Sequence, residues 1–198
     1  MTLPSTEALF DALDATWPAA ATRTVGPWLV RDGQGGGKRV SCASTTDQDA
    51  DFAPMEAAQA ALGQPPLVMV RGDQNRLRSR LENAGYSLKD PTQLYAAPAA
   101  DLVAEPPRVT VFTTDWPPLA ILREVWAEGG IGPARLKVMD RAEGPKTVLM
   151  GRVNDRPGAA AYLAIHDNIA MIHALEVLKT RRRAGLARHM MGVAAKWA

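Results

Sequence analysis

The residues best able to do chemistry lie in one stretch near the carboxyl end, Lys179-Thr-Arg-Arg-Arg-Ala-Gly-Leu-Ala-Arg188. Its cations, Lys179, Arg181, Arg182, Arg183 and Arg188, have no acidic residue beside them anywhere from 178 to 198. Gly185 stands where a loop gives way to a helix, because Leu186, Met190, Val193 and Trp197 fall at i, i+4, i+7 and i+11 on one helical stripe. The first turn of a helix has backbone N–H groups without intrahelical partners, and the helix dipole adds partial positive charge there. A glycine at that point lets an anion approach the backbone, so the stretch reads as a phosphate cradle.

Two ionisable residues precede the cradle on the apolar run Ile169-Ala-Met-Ile-His-Ala-Leu-Glu-Val-Leu178, namely His173 and Glu176. Either residue type can act as a general base, and either is also a common hydrogen-bonded structural residue on a buried strand. Strict alternation along a strand places the two on opposite faces, so at most one faces a given cleft. His166 and Asp167 read as turn residues and His189 as helix surface. No His and Cys cluster has metal-ligand spacing, so no metal site is expected, and Cys42 has no neighbouring base that would make it a nucleophile.

The elements that must position these groups follow from the pattern. The run from 169 to 178 is long and apolar enough for a central strand buried on both faces. The turn His166-Asp167-Asn168 makes it antiparallel to the strand before it. Upstream, the spacing predicts a strand over 108–112, a helix over 118–127, and strands over 147–153 and 159–165 around Asn154, Asp155, Pro157 and Gly158. Residues 127–146, with Gly129, Gly130, Gly132 and Pro133, read as an irregular loop over a cleft.

The first half runs in a similar order. It has a helix over 6–16 with Ser5 as N-cap, a hairpin from 28–30 and 39–43 around Gly33, Gly35, Gly36 and Gly37, and a helix over 51–62. A strand over 66–71, a helix over 73–83, the cap Gly85-Tyr86 and a closing strand over 94–96 complete it. Prolines 98, 106 and 107 mark a boundary, giving units 1–97 and 108–198 joined by a linker over 98–107. The fold class expected is α/β in the α+β sense, a mixed and mostly antiparallel sheet flanked by helices, in two similar units.

Composition narrows the function classes. The chain has 198 residues, 46% hydrophobic and 22% charged, which excludes disordered and collagen-like chains. With 23 Lys and Arg against 21 Asp and Glu the net charge is +2, so no bulk attraction to nucleic acid or acidic lipid follows and any basic site is local. Nucleic-acid binding through the arginine cluster is a third reading, and no aromatic platform is interleaved with that cluster. No stretch approaches the roughly 20 apolar residues that span a bilayer. The single cysteine, Cys42, cannot form an internal disulfide, and a reducing cytoplasm is the expected setting.

The segment Arg182-Arg-Ala-Gly-Leu-Ala187 resembles the acyl-coenzyme A pyrophosphate loop of the GNAT superfamily of N-acetyltransferases, Gln/Arg-x-x-Gly-x-Gly/Ala. Leu175-Glu-Val177 stands where the family carries Leu-x-Val, five residues before the motif arginine, and the resemblance covers about residues 108–197. It implies acetyl-CoA as cosubstrate, with pantetheine against the backbone near Val177 and Leu178, and the pyrophosphate on Arg182, Arg183, Ala184, Gly185, Leu186 and Ala187. A primary amine of a small molecule or peptide would attack the thioester directly, with Glu176 or His173 as base.

The sequence departs from the family after this helix. There the family continues into a strand, a helix carrying a thiolate-protonating tyrosine, and a Gly-Phe or Gly-Tyr turn, whereas this sequence ends at Ala198. The second unit is therefore expected to be incomplete, its missing wall either lost from a shortened reading frame or supplied by the first half or by a second copy in a homodimer. Residues 66–96 resemble that missing piece, with Leu81 in the tyrosine position, so the first unit is expected to be a degenerate copy without a phosphate loop. A non-catalytic acyl-CoA-binding module is the rival from another class.

Overall fold

The computed structural model describes residues 3–107 and 110–198. In chain order its elements are α1 (Thr6–Thr16), β1 (Ala21–Val25), β2 (Trp28–Asp32), α2 (Lys38–Ser41), β3 (Ala43–Ser44), α3 (Ala53–Ala61), α4 (Asn75–Asn83), α5 (Ala99–Leu102), β4 (Val111–Thr114), α6 (Ala120–Glu128), α7 (Pro133–Arg141), β5 (Lys146–Val153), β6 (Arg156–His166), β7 (Ile169–Val177), a 3-10 turn over Lys179–Arg181, and α8 (Leu186–Trp197). They form two compact units, one of Met1–Pro18 with Ala96–Ala198 and one of Ala19–Tyr95.

The larger unit is built on the antiparallel sheet β4-β5-β6-β7. Its two long hairpins turn through Asn154-Asp155 and Asp167-Asn168, all four with positive φ between 44° and 62°. Asn and Asp tolerate that left-handed conformation, and consecutive left-handed residues match the twist of paired strands. One face of the sheet is covered by α8, whose Leu186, Met190 and Ala194 pack on Val111, Leu149, Ala159, Ala161 and Leu163. The other face carries α1 and α6.

The first helix was expected in the amino-terminal unit, and the structure docks it on the carboxyl-terminal sheet. Ser5 caps it by accepting from the Ala8 N–H at 3.2 Å, and its buried stripe of Ala12, Leu13 and Thr16 faces β6 and β7. Trp17 follows, with its ring 5.0 Å from His173 and 6.1 Å from Tyr162. The Thr16 hydroxyl lies 2.6 Å from the Ala12 carbonyl and 2.8 Å from Nε2 of His173. Its one proton goes to the carbonyl, so Nε2 of His173 carries the proton shared with Thr16.

Three further differences from the sequence pattern follow. The strand β7 is an edge strand and mostly half-buried, where the apolar run predicts a central strand buried on both faces. Among the described residues no strand pairs its outer side. Residues 127–146 hold the helix α7 instead of a continuous loop, because Val138 and Met139 are fully buried. The Lys146 ammonium closes its end by donating to the carbonyls of Asp140 at 2.7 Å and Ala142 at 2.8 Å. The strand placed over 108–112 begins at Val111 in the structure, and Arg108 and Val109 lie outside the described residues. Trp126 on α6, fully buried, donates its indole N–H to the Ala174 carbonyl at 2.8 Å.

The unit Ala19–Tyr95 carries the sheet β1-β2-β3, antiparallel throughout. Its hairpin turns at Gly26, not across residues 33–37, and residues 38–41 are helical. The exposed polar strand β1 carries no apolar alternation to announce it. Over 66–71 the pairing is confined to one bridge, Val68 with Ala43, since β3 is two residues long. Residues 94–96 form no strand, and Tyr95 is 86% exposed. The end of α4 follows the expected cap: Gly85 has φ 87°, its N–H reaches the Glu82 carbonyl, and the Tyr86 N–H reaches Leu81. The core of this unit is Trp28, Val30, Met55, Leu77 and Leu81.

Two substitutions test the packing of the larger unit. Thr16→Val removes the acceptor of the His173 Nε2 proton and is expected to lower stability by about 1–3 kcal/mol, read from urea unfolding. Trp126→Phe keeps one aromatic ring but leaves a small void and the Ala174 carbonyl without its indole donor, and a loss of at least about 1–3 kcal/mol is expected in the same assay. A shift of the unfolding midpoint below a few tenths of a molar urea in either variant contradicts the role given to that hydrogen bond.

Candidate active site on the bulged edge strand

The candidate site begins with one extra residue in β7. Ala160 pairs with Glu176 and Tyr162 with His173, so two steps on β6 answer three on β7. The surplus falls at Ala174, whose φ of 49° is left-handed. A bulge of this kind shifts the alternation by one residue. His173 and Glu176 therefore lie on the same face of the sheet, opposite Tyr162 and Ala160, while Ile172, Leu175 and Val177 pack with the α8 core. The expectation that alternation separates His173 from Glu176 is corrected by this bulge, which no pattern of residue types marks.

Sharing a face does not give the two residues the same surroundings. His173 is buried among Thr16, Trp17 and Tyr162. The Tyr162 hydroxyl donates to the Met139 carbonyl at 3.0 Å, and burial, with Asp140 adding to it, pushes its pKa well above the ordinary phenol value. Tyr162 is thus a neutral donor near neutral pH. Glu176 lies nearer the end of the strand, its side chain 18% exposed. Gly129, at the end of α6, is its seat: a Cβ there would stand 2.5 Å from the carboxyl carbon of Glu176.

The basic loop returns to that carboxylate. Nε of Arg182 donates to the Val177 carbonyl at 2.9 Å, and Nη2 donates to Oε1 of Glu176 at 3.1 Å. Leu178 has both backbone groups engaged inside the chain, its N–H on the Gly158 carbonyl and its carbonyl receiving the Arg181 N–H. Arg181 lies over Gly158, where a Cβ would meet it at 3.0 Å. Arg183 has φ 64° and Gly185 φ 75°, and these two left-handed residues bring the chain to the start of α8.

Gly185 is the N-cap of α8, with no side chain capping the helix and no acidic residue in its first turn. Space at Gly185 is open, the ring of His189 being the nearest neighbour of a Cβ there at 3.5 Å. Leu186 is buried against Gly151 and Ala159, which pins the helix start to the sheet while Arg182, Arg183 and Ala184 stay exposed and Ala187 is half-buried. Glu176, Val177 and Arg182 are thus brought together, with the open helix terminus a few residues on. Sequence spacing pointed to the loop; the Glu176 to Arg182 pair, the bulge and the Gly129 seat were not visible in it.

Among the described residues no three of His, Cys, Asp and Glu gather as a metal-binding group. Cys42 is buried, its thiol 3.0 Å from the Arg39 carbonyl. Among the same residues no helix is long and apolar enough to cross a membrane.

No protein-family model matches the chain, and no curated protein does. Solved structures match over nearly its whole length. A functionally unknown conserved protein from Staphylococcus epidermidis superimposes with a TM-score of 0.58 at 10% identity, over 93% of this chain and 81% of that one. A GCN5-related N-acetyltransferase from Kribbella flavida superimposes with a TM-score of 0.52 at 15% identity, over 96% of this chain and 79% of that one. The shared feature at these identities is the fold: antiparallel sheets flanked by helices, in a GNAT-like arrangement.

Proposed function

We propose that the protein is an N-acetyltransferase that moves the acetyl group of acetyl-CoA to a primary amine of a small molecule or peptide. The observation that carries this reading is the geometry after β7. A bulged edge strand delivers the chain through four cations to an α8 terminus that has a left-handed glycine cap, no side-chain cap and no acid in its first turn. That terminus suits a pyrophosphate, because the first backbone N–H groups and the dipole both favour an anion there. The GNAT-like fold supports the same assignment.

In this reading Gly185, Leu186 and Ala187 offer backbone to the pyrophosphate, and Arg182 and Arg183 add charge-assisted hydrogen bonds. Glu176 is the candidate base, since it reaches solvent at the strand edge while His173 is committed to α1. A base there takes the proton that the attacking amine must lose as the C–N bond forms and the thiolate leaves. The unit Ala19–Tyr95 is then a scaffold, a reading supported by its lack of a similar basic loop. One feature favours the non-catalytic rival: Glu176 is ion-paired with Arg182.

Titration calorimetry with acetyl-CoA tests the reading. Gly185→Glu places bulk, negative charge and backbone strain where the pyrophosphate sits and is expected to weaken binding at least about a hundredfold. Gly185→Asn tolerates the left-handed φ and is expected to stay within about tenfold of the parent. Equal binding by the parent and Gly185→Glu, both folded by circular dichroism, moves the site elsewhere. Cofactor binding without turnover over a broad panel of amines decides for the rival.

A further inference from the structure

The three groups with most to offer a substrate at this site are held by one another. Arg182 is the side chain the loop would offer to a phosphate, Glu176 the carboxylate the strand would offer to an amine, and Val177 a carbonyl at the strand end. Arg182 occupies both of the others, at 3.1 Å and 2.9 Å. A guanidinium fork fits a phosphate as well as it fits a carboxylate, so a pyrophosphate competes with Glu176 for the same donors.

The two partners differ in freedom. Glu176 is held on the sheet against Gly129 and its side chain is 18% exposed. Arg182 is 53% exposed and lies on a loop whose next residues include the left-handed Arg183 and Gly185. Arg182 is therefore the member that moves. Its attachment is weak enough to exchange, since a partly exposed ion pair contributes little against solvent and salt.

We propose that Arg182 is a latch on the base Glu176, released by the pyrophosphate of the cofactor. Resting on the acetyl-CoA reading of the site, the inference adds an order of events. With the site empty, Arg182 neutralises Glu176 and covers the Val177 carbonyl. A pyrophosphate at the start of α8 draws the guanidinium away, exchanging one set of charge-assisted hydrogen bonds for another, and Glu176 becomes available to an amine only then. Cofactor binds first, and an amine arriving earlier meets a neutralised carboxylate.

A double-mutant cycle with coenzyme A, read by calorimetry, tests the latch. Glu176→Gln keeps the side-chain shape and removes the competing charge, and it is expected to tighten coenzyme A by about two- to fivefold. The gain is expected to vanish in an Arg182→Ala background, where there is no guanidinium to release. Turnover of Glu176→Gln is expected to fall by about a hundredfold or more despite the tighter binding. Equal thermal melts of parent and variants exclude misfolding as the cause. Unchanged or weaker binding by Glu176→Gln, or a gain that persists in Arg182→Ala, overturns the latch while the cofactor reading stands. Absence of binding by the parent and every variant overturns both.

Discussion

The extra residue at Ala174 is the constraint on which the candidate site depends. Without it β7 would alternate regularly against β6, Glu176 would turn into the face packed under α8, and Leu175 and Val177 would lose their place in that core. The bulge carries a local strain, since a non-glycine residue with φ of 49° costs on the order of 1 kcal/mol. It also takes backbone groups out of the ladder. The buried indole of Trp126 answers by donating to the Ala174 carbonyl, so α6 stabilises the bulge directly. The same helix ends at Gly129, where the absent side chain makes room for Glu176. One helix thus fixes both the phase of the strand and the seat of its carboxylate.

The loop that follows depends on small residues of the sheet. Gly151 and Gly158 on β5 and β6 lie under Leu186 and Arg181, at distances where a methyl group would already crowd them. That close approach lets the start of α8 rest on the sheet, and it sets the open helix terminus near the end of β7. Leu186 supplies the burial that holds it, and Leu178 supplies the backbone link to Gly158. The chain between is exposed and carries its charges outward, so rigidity is concentrated at the two ends of the loop and freedom in the middle. The Arg182 side chain belongs to that middle.

What could be read from residue types was what residue types control. The Asn-Asp and Asp-Asn turns, the helical stripe of α8 and the acid-free basic loop all declared themselves, because turn chemistry, periodicity and charge are local properties. The α+β class followed from the same signals. The bulge did not, since Ala174 is an ordinary strand residue and no residue type from Ile172 to Val177 marks an insertion. The docking of α1 was hidden for another reason: its stripe fits any sheet, and the partners that claimed it, His173 and Tyr162, lie more than 140 residues away in the chain. The strand β1 escaped because its side chains face solvent and its order comes from pairing with β2 alone.

The weakness of the Arg182 to Glu176 pair is itself informative. A buried ion pair would lock the site, because parting its members exposes an uncompensated charge in a poor solvent at a cost of several kcal/mol. An exposed pair is worth about 0–1 kcal/mol and is screened by salt. The pair here joins a carboxylate with little exposure to a guanidinium with much, so the charge that leaves is the one water already solvates. On the proposed reading a pyrophosphate would meet Arg182 together with Arg183 and the α8 terminus, and against that combination a single carboxylate would lose. The net charge of +2 conceals this local asymmetry, five cations between 179 and 188 with no acid among them.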